Sequence, residues 1–99
     1  MSYYVITRTY LEDPASKDAV LEMSKASAEI FKQQPGLIDM RSLYAENETH
    51  ISTYLVWEDQ KSHLNCMESK DFNKVTSKWT EFIQQGKIKF ELETYSALA

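Results

Sequence analysis

The sequence predicts an α+β domain built on one four-stranded antiparallel sheet, in the order β-α-β-β-α(α)-β, with its helices on one face. Three observations carry this. Strand-like segments with β-branched and aromatic residues open and close the chain and pair up in its middle; amphipathic helical periods fill the gaps; and the 2 prolines and 2 glycines, Pro14, Pro35, Gly36 and Gly86, all fall at the junctions. The length of 99 residues suits one domain, residues 1–99, with no internal repeat, linker or low-complexity tract.

The first strand is Tyr3 to Tyr10, a run of aromatic and β-branched residues without Gly or Pro. Asp13-Pro14 breaks it, and Pro14 suits the start of a helix from about Ala15 to Gln34, in which Val20, Met23, Ser27, Ile30 and Phe31 share one face. Pro35-Gly36 ends that helix. Leu37 to Ala45 and His50 to Glu58 then read as a hairpin around the polar stretch Glu46-Asn47-Glu48-Thr49. Two helical stretches follow, Gln60 to Ser69 and Asp71 to Gln85, the second with Phe72, Val75, Trp79, Phe82 and Ile83 at helical spacing. Gly86 closes it, and Lys87 to Ser96 alternates as the last strand, with Ile88, Phe90 and Leu92 on one side and charged residues on the other.

Composition excludes several classes of function. Eleven basic residues against 15 acidic ones give a net charge of -4, with the bases scattered, which argues against nucleic acid as a partner. Apolar runs are far too short for a membrane span, and Met1 leads into a strand and not a leader, so the expected location is cytoplasmic. The single cysteine, Cys66, forms no internal disulfide, and no cysteine or histidine spacing suggests a metal. The sheet face away from the helices carries Tyr4, Ile6 and Tyr10 on the first strand and Tyr54 and Val56 on the third. A second copy related by a two-fold axis is the expected cover, giving a homodimer in which two sheets face each other.

Gln34-Pro35-Gly36-Leu37 opening the second strand, Leu55-Val56-Trp57-Glu58-Asp59 ending the third, and Ser69 and Phe72 beyond them resemble the antibiotic-biosynthesis-monooxygenase domain family over nearly the whole chain. The resemblance implies a ferredoxin-like fold assembled as a dimeric α+β barrel. It also implies a pocket in each subunit between helices and sheet, lined by the strand-terminal Trp, here Trp57, whose strand face it shares with Leu55. The family includes cofactor-independent oxygenases of quinols and polyphenols, haem-degrading oxygenases and an isomerase of a signalling sugar phosphate. Three departures matter. Where the family often places a His on the helix nine residues after the Trp, this chain has Cys66. Where the haem-degrading branch has its iron-ligating His, one turn after the Phe, stands Thr76, and where that branch has an Asn before an Arg on the first strand stands Thr7 before Arg8. Neither haem nor flavin is expected, since no Gly-rich phosphate loop or Cys pair is present either.

His63 is the one obvious base, with an unperturbed pKa near neutrality, although a histidine on a charged helix also suits a solvated surface. Trp57 reads equally as pocket wall or core. Cys66, three residues after His63, shares its helix face, either as a thiolate partner or as a small buried hydrophobe. Arg8 lies on a strand, where it meets an acid such as Asp39 or Glu91 across the dimer or an anionic substrate. The expected function is a cofactor-independent monooxygenase acting on a small aromatic, quinol-like molecule, with His63 catalytic and Trp57, Thr7, Cys66, Leu55 and Phe72 around the ligand. The alternative is a non-catalytic small-molecule-binding dimer that kept the fold and lost the polar site.

Overall fold

The computed structural model describes residues 2–99. Strand β1 (Tyr3–Leu11) ends where Asp13 caps a short 3-10 turn (Pro14–Ser16), its carboxylate accepting from Ala15 N at 3.1 Å and Ser16 Oγ at 2.9 Å. Helix α1 (Lys17–Lys32) therefore starts two residues later than its periodicity predicts, because the proline turn is too tight to be its first α-turn. It buries Val20, Met23, Ser27 and Phe31. Strands β2 (Leu37–Tyr44) and β3 (His50–Trp57) form the expected hairpin, and Lys17 Nζ reaches Glu48 of its loop at 2.7 Å. Helices α2 (Gln60–Met67) and α3 (Lys70–Gln84) follow, capped by Asp59, which accepts from Ser62 N, and by Ser69, which accepts from Phe72 N. Strand β4 (Ile88–Ser96) completes the sheet in the order β2-β3-β1-β4, every pairing antiparallel.

Strand pairing fixes which residues meet the helices. Thr7 lies opposite Thr53 on one side and Leu92 on the other, and Val5 opposite Leu55, so Val5, Thr7, Thr9, Ile51, Thr53, Leu55 and Trp57 share the helix-facing side. The other face carries Tyr4, Ile6, Arg8, Tyr54 and Val56. Arg8 spans it to Glu93 at 3.0 Å within the same chain, and Tyr95 donates to the other oxygen of that carboxylate. On β4 only Ile88 is buried as its alternation predicts; Phe90 and Leu92 each stay 44% exposed, because β4 is an edge strand.

The apolar core is divided in two. Val5, Phe31, Leu55, Trp57 and Cys66 pack at one end of the sheet, and Val20, Met23, Ile51, Phe82 and Ile88 at the other. Between these clusters the helices do not close completely onto the sheet. No helix among the described residues is long and apolar enough to cross a membrane.

Candidate functional site

The two most distinctive sequence segments meet in space as an architectural joint. Glu58 N donates to Gly36 O at 2.8 Å, and Gly36 takes φ +87° directly against Ser62, where a β-carbon would overlap the Ser62 side chain. Ser62 is itself held by Asp59, whose Oδ1 accepts from both its backbone N and its hydroxyl at 2.8 Å. The backbone bond first and the hydroxyl second hold the Asp59 carboxyl below its usual range. Pro35-Gly36 and Trp57-Glu58-Asp59 thus fix the start and rotation of α2, which turns His63 and Cys66 inward and leaves Leu64 outside.

Between the two core clusters lies a cavity of about 90 Å³. Its floor is the sheet, with Thr7, Thr9 and Thr53, continued by Ser42 toward the β2 edge. Its roof is Ser27 and Phe31 of α1 with Phe72 and Trp79 of α3, and α2 closes one end with His63 and Met67. Trp79 Nε1 donates to Ser27 Oγ at 2.9 Å, and that hydroxyl donates to Met23 O at 2.9 Å, tying α3 to α1 over the opening. Phe90 and Leu92 mark the rim at β4.

Of the residues expected around a ligand, the structure brings His63, Thr7 and Phe72 together on this cavity. Trp57, Leu55 and Cys66 instead pack in the core cluster beside it and are absent from its lining. The strand-terminal Trp57 is pinned beneath α2, fully buried, with its ring 6.0 Å from that of His63 and 6.4 Å from that of Phe31. Sequence reasoning missed Thr53, Ser42 and Ser27. The signal was available for the first, since parity puts Thr53 on the face of Trp57 and in register with Thr7.

His63 is 6% exposed, stacked at a tilt 5.6 Å from Tyr3, and its Nδ1 is sealed without a hydrogen-bond partner. Burial lowers its pKa, so the ring is neutral at pH 7 and available to accept a proton. Burial also pushes the Cys66 thiol up to about 11, which removes the thiolate reading: at neutral pH this group is an uncharged hydrophobe. Trp57 Nε1 is likewise buried and unpartnered. Among the described residues no cluster of three or more potential metal ligands occurs.

A single antiparallel sheet covered on one face by helices is a ferredoxin-like α+β fold, here with a hydroxyl-floored and aromatic-roofed cavity between the layers. The chain has the fold of the antibiotic biosynthesis monooxygenases. One such monooxygenase of known structure superposes with a TM-score of 0.80 at 14% identity, covering 98% of this chain and 99% of its own. SnoaB, a cofactor-independent oxygenase from Streptomyces nogalater, superposes at 0.76 with 15% identity, over 99% of this chain and 94% of its own. Rv0793 from Mycobacterium tuberculosis reaches 0.83 at 11% identity, over 100% and 97%. No protein-family model matches the sequence, and no curated protein matches it either. At such identities the likeness is one of fold, and function has to be argued from the cavity.

Proposed function

We propose that this protein is a cofactor-independent monooxygenase that binds a small phenol- or quinol-type ring in the cavity between sheet and helices, with His63 as its general base. The observation that carries this reading is the buried, neutral His63 bordering that cavity with a nitrogen left unpaired. A buried polar atom without a partner costs about 1–3 kcal/mol, a cost that a functional role would explain. His63 takes the hydroxyl proton, and the resulting anion is electron-rich enough to react with O₂ directly. The substrate supplies the electrons, one oxygen atom enters the product, and the other leaves as water with the protons returned to it. The volume of about 90 Å³ is below the roughly 150 Å³ of a cavity that takes up benzene, so one ring enters by slight yielding of the walls and anything larger projects past Phe90 and Leu92. Oxygen uptake on a panel of quinols is the test, with His63→Ala expected to lower turnover by about a hundredfold or more. Unchanged turnover in that variant would remove His63 from the mechanism.

A second reading, a non-catalytic binding dimer, is favoured by one observation: among the described residues lining the cavity, none but His63 ionises. It predicts ligand binding without oxygen uptake on any quinol. Both readings share the homodimer. It is supported by the uncovered sheet face, where Tyr4, Tyr54 and Tyr95 are each between 36% and 41% exposed and the Arg8 charge is already matched by Glu93.

A further inference from the structure

The cavity floor breaks the packing rule that the rest of the sheet obeys. On the helix-facing side, β1 and β3 carry Val5, Ile51, Leu55 and Trp57, all buried apolar residues. Between them β1 switches to Thr7 and Thr9 and β3 to Thr53, and β2 adds Ser42 opposite Thr53, so that Thr7, Thr53 and Ser42 are in register. Three hydroxyls thus stand in one row across three neighbouring strands, spaced by the strand separation of about 4.8 Å. At the half-buried Thr7 and Thr53, valine would have the shape and strand preference of threonine and need no polar partner, so a floor that served packing alone would be better made of valine there, while Ser42 is exposed at the β2 edge. Ser42 Oγ and Thr53 Oγ1 lie 3.2 Å apart, and this bond uses one of their two protons, leaving the other proton and spare lone pairs to offer. The second, independent sign of a ligand is His63, over nine-tenths buried, whose ring borders the same cavity and whose Nδ1 has no hydrogen-bond partner.

We propose that Thr7, Thr53 and Ser42 are the specificity-determining residues of this cavity: they bind the hydroxyl groups of a single aromatic ring and so select a hydroxylated ring over the same ring without hydroxyls. This rests on the reading of the cavity as a substrate site, but not on the oxygenase chemistry. Thr53 is central, since it touches Ser42 and lies in register with Thr7. The hydroxyls fix the ring's orientation against the floor, with its apolar edge toward Phe31 and Phe72. None of the three residues is assigned a proton transfer.

The experiment measures binding of hydroquinone, catechol and toluene to the full-length protein and to Thr53→Val, Thr7→Val and Ser42→Ala, with thermal melts to show that each variant is folded. The wild type should bind the two phenols at least about tenfold more tightly than toluene, and Thr53→Val should reduce that preference by about tenfold, the scale of one lost hydrogen bond, while toluene binding stays unchanged. Ser42→Ala separates the floor from a general effect on strand β3, because it removes the partner hydroxyl from another strand. Equal binding of phenols and toluene by the wild type, an unchanged preference in Thr53→Val, or no aromatic binding at all would overturn the proposal. If the preference and its loss hold while no quinol supports oxygen uptake, the oxygenase reading fails and this assignment stands.

Discussion

His63 sits on a short helix among exposed residues, Lys61, Leu64 and Asn65, yet it is the one turned inward. Sequence periodicity left both orientations open, because polar-out and apolar-in would put Leu64 inside and His63 outside. The Asp59 cap and the Gly36–Ser62 contact decide the helix rotation, and Asp59 and Gly36 lie outside α2 itself. Burial then has a thermodynamic consequence with a definite sign. The folded His63 resists protonation relative to its ordinary 6.5, so below that pH the unfolded chain binds a proton the native state does not, and stability falls as the solution is acidified. Thermal melts between pH 7 and 5.5, above the range where carboxylates titrate, should show this loss in the wild type and a flatter profile in His63→Gln; parallel profiles would contradict it. Trp57 is a different case. Its aromatic character was legible in the sequence, but not whether it faced a cavity, since both roles bury the same ring. As a fully buried core residue it should cost about 3–5 kcal/mol when replaced by Ala, read from denaturant unfolding.

At the level of elements, the sequence was most informative where a physical breaker marks a boundary. Pro35-Gly36, Gly86 and the strict alternation of the last strand place their junctions to within a residue or two, whereas the burial of β4 was not legible, because exposure depends on which strand ends up at the edge. The two glycines provide a direct comparison. Both take positive φ, +87° at Gly36 and +72° at Gly86, but only Gly36 has a side chain packed where its Cβ would go, while Gly86 has nothing within 4 Å. Gly86→Ala should therefore cost only the left-handed backbone term of about 1–2 kcal/mol. Gly36→Ala should cost more than that and shift α2, with perturbed amide signals at Ser62 and His63 as the structural readout. Equal urea midpoints for the two variants would show that the joint yields freely.

At the scale of the whole molecule, the sheet offers one face to its own helices and the other to solvent. The residues of that second face were legible from parity alone, because alternation along β1 and β3 is regular. The strand order β2-β3-β1-β4 puts β1 and β3 at the centre, so Tyr4, Ile6, Tyr54 and Val56 form one continuous patch. We expect sedimentation at micromolar concentration to give twice the chain mass, and Tyr54→Asp, which places a charge in the patch, to give a single-chain mass with its helical content retained. A wild-type monomer would leave the patch for another partner.

The thiol of Cys66 gives the molecule an internal clock. Buried in the same cluster as Trp57 and protonated well beyond neutral pH, it reacts with an alkylating reagent only in those moments when that end of the sheet comes apart. Its labelling rate under native conditions therefore counts openings of the α2 end separately from the end built on Phe82 and Ile88. A ligand lodged between the two ends should slow that clock in proportion to how tightly it holds them together.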